Sequence, residues 1–233
     1  MTSLTQHLLS LQTQTPYESA TKHPFLLAAA RGSLDHDTLG LYLSQDRIYA
    51  AHAYPRFIGA LIASIPYSNS HPIGSPAEQQ NNELLNVLVF ALTNIVTEVN
   101  FFGETAKEWG LKIEGHQERK ATRDYTAEMA RLTTGPNSSF TDALVFLWGM
   151  EKCYLDAWTG VNKSLAIDTA TSSALRKLSE NWSCPPFVAF VDRLAKIVDD
   201  LQIEPDSAAW KSAEDTFSRM VELEAAFWPD MSP

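Results

Sequence analysis

Residues 36–64 read HDTLGLYLSQDRIYAAHAYPRFIGALIAS. Within them Leu39, Leu43, Asp46, Ala50, Ala53 and Phe57 recur at spacings of three and four, the period of one face of an α-helix. Asp35 or Asp37 can cap the start, because a short carboxylate accepts from the free N–H groups of a first turn. Pro55 has no N–H and clashes with the preceding turn, so it should kink this helix.

The same period continues downstream. It marks helices over 78–109, 116–133, 140–164, 171–182, 186–202 and 207–228. Gly110 and Gly135–Pro136 end two of them, and Pro185–Pro186 suit the first turn of another. The stretch 67–77, YSNSHPIGSPA, is rich in turn formers and reads as a loop. Alternating apolar–polar segments, the mark of strands, are nearly absent. With the N-terminal pieces this makes about eight helices, short loops and no internal linker. The expected fold is all-α, a single-domain helical bundle spanning 1–233.

Composition narrows the classes of function. Of 233 residues, 45% are hydrophobic and 20% charged, an ordinary globular balance rather than a disordered or fibrous one. Lys plus Arg number 18 against 28 acids, a net charge of −10, which repels nucleic acid on average. The two cysteines, Cys153 and Cys184, do not make a disulfide scaffold. The longest purely apolar runs, such as Val87 to Leu92, are far short of the ~20 residues of a membrane span. The N-terminus lacks the basic and apolar regions of a secretory signal. The expectation is a cytoplasmic protein with no nucleic-acid or membrane partner.

The informative residues are acids on apolar faces. Asp46 is the one charge in its stripe. Glu224 stands among Phe217, Met220, Val221, Phe227 and Trp228. Glu151 interrupts the face formed by Phe140, Ala143, Leu144, Leu147, Met150, Tyr154 and Trp158. A buried carboxylate costs several kcal/mol unless it finds hydrogen bonds, a partner or a proton. Each acid could bond Arg, Tyr or Trp in a structural network. If the three converge, they make a polar floor in an apolar cavity between helices, where bundles place small-molecule sites. Tyr42, Tyr49, Tyr54, Tyr125, Tyr154, Trp148, Trp158 and Trp182 would add flat apolar walls. That combination suits a nitrogen heterocycle, stacked on rings and held in a fork by a carboxylate. Glu98, one turn from Asn94, belongs either to this site or to a helix contact.

Other chemistries lack their motifs. There is no Gly-rich phosphate loop, no G-x-S-x-G, no H-E-x-x-H and no Glu-x-x-His. The six histidines do not pair at metal spacing on one helix. His23 or His52 as a haem ligand is the remaining possibility of that kind.

Four segments carry a family resemblance: HPFLLAAARGSL (23–34), YLSQDRIYAAHAYPRF (42–57), NWSCPPF (181–187) and ELEAAFW (222–228). In order and spacing they resemble the TenA family, the thiaminase II group. The resemblance covers nearly the whole chain. It implies a haem-oxygenase-like helical fold, a homo-oligomer (dimer or tetramer), and no metal or organic cofactor. It further implies hydrolysis of a small-molecule aminopyrimidine, a thiamin breakdown product, to hydroxymethyl-pyrimidine, with thiamin cleavage in some members.

Carried onto this chain, Asp46 is the aspartate that binds the aminopyrimidine edge. Tyr49 and Tyr125 are pocket tyrosines, and Glu224 is the acid–base residue. Tyr154 anchors the remaining match in LWGMEKCYLDAW (147–158), and Trp182 replaces a usual tyrosine. That anchoring puts Met150 where the family's usual nucleophilic cysteine stands, with Cys153 three residues later. A second branch of the family lacks the cysteine and is thought to use a carboxylate, for which Glu151 is the candidate here. Asp46, Glu151 and Glu224 are thus the expected catalytic residues; Tyr49, Tyr125, Tyr154 and Trp182 would stack and orient the ring. Two rivals stand beside this reading: a non-catalytic pyrimidine-binding protein, and another enzyme on the same fold that uses haem or a metal.

Overall fold

The computed structural model describes residues 2–165 and 170–231, and no strand occurs among them. Eleven α-helices follow in order among the described residues: α1 Leu4–Ser10, α2 Tyr17–Thr21, α3 Pro24–Ala30, α4 His36–Ile48, α5 Tyr54–Ala63, α6 Pro76–Trp109, α7 Lys120–Thr134, α8 Phe140–Ser164, α9 Ala170–Asn181, α10 Pro185–Asp199 and α11 Ala208–Phe227. α8 is the axis of the bundle, packed against α3, α10 and α11. Residues Ala143–Met150 are buried on every side of it. One apolar core runs from Leu4 to Trp228.

Local chemistry sets the helix ends. Asp35, rather than Asp37, caps α4 by accepting from the Thr38 N–H at 2.7 Å. Ser75 and Ser207 cap α6 and α11 in the same way, and Pro76 and Pro185 occupy first-turn positions of α6 and α10. Gly149 lets α8 and α11 approach, since a Cβ there would stand 2.8 Å from Met220 Cε and 3.4 Å from Phe217.

Three expectations are revised. The helix expected over 36–64 is two helices joined by a π-helical turn, Tyr49–Ala53. α7 begins at Lys120 rather than 116, because residues 111–119 lie extended along α4. There the buried Gln45 amide donates to the Gln117 carbonyl (3.0 Å) and accepts from the Arg119 N–H (2.8 Å) and the Thr122 hydroxyl (2.7 Å). The segment comes so close that a Cβ on Gly40 would meet the Lys112 carbonyl oxygen at 2.6 Å. Third, α6 is long and apolar enough, by length and composition, to cross a membrane. In this fold it is a wall of the bundle, packed on α5 and α10. Its Val89 and Val96 are exposed.

Candidate active site

Four helices each bring one carboxylate to a single cavity: Asp46 on α4, Glu98 on α6, Glu151 on α8 and Glu224 on α11. Aromatic walls close it with Tyr49, Tyr54, Tyr125, Tyr154, Trp182 and Phe227. The free space these residues enclose is about 50 Å³, and about 600 Å³ with the open solvent at its mouth. Among the described residues, no Lys, Arg or His lines it. Nor do three or more acid, Cys or His side chains there come close enough to hold a metal ion.

Each acid is held through one oxygen by a ring donor. Asp46 Oδ2 accepts from the Tyr154 hydroxyl at 2.8 Å and the Tyr42 hydroxyl at 3.3 Å, and those two hydroxyls are 2.5 Å apart. Glu151 Oε1 accepts from Tyr54 at 2.5 Å, and Glu224 Oε1 from Tyr125 at 2.5 Å. The Trp182 indole N–H donates to Glu98 Oε1. The second oxygen of each carboxylate has no donor among the described residues. Asp46, Glu151 and Glu224 are only 5%, 8% and 5% exposed, so a ligand entering the cavity meets acceptors already stripped of most of their water.

Behind Asp46 a pile of rings fixes its direction. Trp228 stacks on Phe25 (5.5 Å, 18°) and on Tyr42 (5.4 Å, 26°), and its indole N–H donates to the Ala20 carbonyl at 2.8 Å. Tyr154 stands edge-on to Trp182 at 5.1 Å, which links the Asp46 and Glu98 corners.

The π-helical turn decides which tyrosine reaches Glu151. A regular helix that aims Asp46, Tyr49 and Ala50 at the cavity would next aim Ala53. The extra residue, marked by the Tyr54 N–H bonding to the Tyr49 carbonyl, advances the register by one. Tyr54 faces the cavity instead, while Ala53 lies with His52 and Arg56 in a groove against α7. Pro55 follows at once, and its missing N–H is absorbed in the first turn of α5.

Burial is the main force on these acids. It raises Asp46 to about 7, against the pull of the Tyr154 and Tyr42 hydrogen bonds. Burial likewise lifts Glu151 to about 7, with Asp46 adding repulsion and Tyr54 opposing. Glu224 rises to about 8 by burial and by repulsion from Asp46 and Glu151, despite the Tyr125 hydroxyl. Glu98, half-buried by surface area but densely surrounded, also reaches about 8 through desolvation and the Asp46 charge. Carboxyls that change charge near neutral pH can give and take protons there.

All seven residues read from the sequence, Asp46, Glu151, Glu224, Tyr49, Tyr125, Tyr154 and Trp182, line this one cavity. The Tyr49 hydroxyl faces the Met150 sulfur at 4.0 Å, and its ring stands edge-on to Tyr54 and Tyr125. Met150 and Glu151 both reach the cavity, whereas Cys153 is fully buried outside its wall, where desolvation pushes the thiol up. His23 is the cap of α3, accepting from the Phe25 N–H at 3.2 Å, and His52 lies in the outer groove; neither lines the cavity. Glu98 belongs to the cavity, which resolves its two readings. Tyr54 as the holder of Glu151 has no signal in a 3.6-residue period. Tyr42, the second hydroxyl on Asp46, was legible as its i−4 neighbour.

Sequence and fold comparisons agree. A protein of Fusarium pseudograminearum named "Probable transcription factor" is 23% identical, over 99% of this chain but 52% of its own length. This chain therefore spans about half of that relative. A soybean (Glycine max) "Probable bifunctional TENA-E protein" is 20% identical over 91% of this chain and 86% of its own. The crystal structure of a TenA homologue from Pyrococcus furiosus superposes with a TM-score of 0.79 at 21% identity, covering 97% of this chain and 98% of that one. The shared fold is the all-helical, haem-oxygenase-like one. The sequence profile of the TENA/THI-4/PQQC family matches residues 12–233, and the chain belongs to that family.

Proposed function

We propose that this protein is a hydrolase of thiamin pyrimidine salvage. It would convert 4-amino-5-aminomethyl-2-methylpyrimidine, or its N-formyl derivative, to the hydroxymethyl-pyrimidine, and thiamin cleavage is a further activity within the same reading. The observation that carries the proposal is the set of buried carboxylates, each pinned through one oxygen and open through the other, on one aromatic cavity.

Asp46, protonated on its free oxygen near neutral pH, donates to the ring nitrogen while its tyrosine-held oxygen accepts from the 4-amino group, a fork that favours electron push toward the exocyclic carbon. Glu224, protonated near neutral pH, supplies the proton that lets the amine leave. Glu151 orients a water and accepts its proton as the C–O bond replaces the C–N bond. The net change is substrate plus water to alcohol plus ammonia for the aminomethyl compound, or alcohol plus formamide for its N-formyl derivative, with no covalent adduct. Tyr49, Tyr125, Tyr154 and Trp182 sandwich and orient the ring. The homo-oligomer, dimer or tetramer, is part of the proposal; the exposed Val89 and Val96 on α6 suit such a contact.

Chromatography with the aminomethyl-pyrimidine, its formyl derivative and thiamin tests this reading. Hydroxymethyl-pyrimidine from any of them is the expected result. Because Met150 rather than a thiol stands at the cavity wall, one rival keeps a foothold: a pyrimidine-binding protein without turnover. Binding without product from all three compounds would favour it.

A further inference from the structure

Between Glu83 and Glu104, α6 carries one charged residue, Glu98, and that residue faces inward. The proposed chemistry gives it no task. Asp46 holds the ring, Glu224 serves the leaving group, and Glu151 serves the water. Yet Glu98 lines the cavity and is held in place by the Trp182 indole, one oxygen engaged and the other without a donor among the described residues. Its charged neighbours across the space are Asp46 and Glu151, both acids, and no cation among the described residues lines the wall. A carboxylate so placed gains nothing from its protein surroundings except the indole bond, and it repels the other acids. In the unliganded protein it therefore keeps its proton up to about 8, and a positive group on the ligand is what stabilises its charged form.

Glu98 is also the least covered of the four acids. It and its neighbour one turn back, Asn94, are half-buried, whereas Asp46, Glu151 and Glu224 are buried. A cationic amine can pair with the Glu98 carboxylate when it binds, and it reacts as the free base, after its extra proton is released, with Glu224 protonating the nitrogen as it leaves. An N-acylated ligand of the same shape carries no charge and gains nothing from Glu98.

We infer that Glu98 is a specificity-determining residue that makes the cavity select substrates whose side chain is a cationic amine over their neutral N-acyl derivatives. This rests on the hydrolase reading for its substrates, although the selection itself is readable by binding alone.

The test compares kcat/KM for the aminomethyl-pyrimidine and its N-formyl derivative in the wild-type protein and in Glu98→Gln, which keeps the indole acceptor. The ratio of amine to formamide should fall about tenfold in the variant, equivalent to about 1.4 kcal/mol. Glu98→Asp keeps the charge and should keep most of the preference. An unchanged ratio in Glu98→Gln, or an equal loss of preference in both variants, overturns the inference, because shape and not charge would then be at work. If the wild-type protein turns over neither compound, the hydrolase reading fails separately. Calorimetry with the aminomethyl-pyrimidine and the neutral hydroxymethyl-pyrimidine then decides. Tighter binding of the amine that drops about tenfold in Glu98→Gln sustains the inference, while equal affinities, or no binding of either, refute it.

Discussion

Tyr125→Phe removes one oxygen and little else. The ring is buried and packed edge-on to Tyr49 (5.5 Å), Phe146 and Phe227 (both 5.7 Å), contacts that phenylalanine keeps. What is lost is the 2.5 Å hydrogen bond to Glu224. That bond favours the charged carboxylate and opposes the burial that lifts Glu224 to about 8. A hydrogen bond to a charged group contributes about 1.5–3 kcal/mol. Part of it survives in the protonated form, so the differential loss is about 1.4 kcal/mol, or about one pH unit. The direction is upward, since the charged form loses its donor. Glu224 acts protonated, so turnover declines as pH rises through its pKa. The descending limb of kcat/KM against pH, which reports the free enzyme, should move about one unit to higher pH in Tyr125→Phe. The ascending limb, governed by Glu151 at about 7, should stay. A descending limb that stays in place, or moves to lower pH, would refute Glu224 as the proton donor held by Tyr125.

Three more outcomes follow from the same geometry. Asp46, Glu98, Glu151 and Glu224 all titrate above an unfolded carboxylate, so their stabilising share is fully present below about pH 4 and is lost as pH rises through about 7 and 8. Thermal melts of the unliganded protein should therefore fall in Tm from about pH 5 to about pH 9, and Glu224→Gln should flatten that decline; a Tm rising over this range contradicts it. Deleting Ala51 removes the extra residue, so Tyr54 should take the place that a regular helix aims at the cavity and keep its bond to Glu151; turnover should stay within about tenfold of the wild type, and a loss of the order of a hundredfold, the cost of a misplaced group, would refute this reading of the turn. In native protein a small alkylating reagent should modify the half-buried Cys184 and spare the fully buried Cys153, with both reacting after denaturation, as mass spectrometry would show.

The parts of this site legible in the sequence share one property: they break a pattern. Asp46, Glu151 and Glu224 each interrupt an apolar stripe of period 3.6, and burial in a polar cavity is the reason a stripe tolerates such a break. Glu98 was half legible because α6 is apolar nearly all round, which leaves no clean stripe for it to interrupt. Tyr54 was not assignable to Glu151, since one inserted backbone residue shifts every later side chain and periodicity still points to Ala53. The extended segment 111–119 depends on Gln45, a buried amide satisfied by groups more than seventy residues away, and no local pattern encodes such a partner. For the nucleophile position, alignment on Tyr154 left Met150, Glu151 and Cys153 open. Helix rotation within the packed bundle is what puts the first two on the cavity and the third behind it.

The most direct test of the acid–base account is turnover of the aminomethyl-pyrimidine by Glu224→Gln, followed as hydroxymethyl-pyrimidine released, with binding of the substrate measured in parallel. Loss of a general acid should lower kcat by about 10²–10⁴ while the substrate still binds through Asp46 and the aromatic walls. Full turnover in Glu224→Gln would contradict the account.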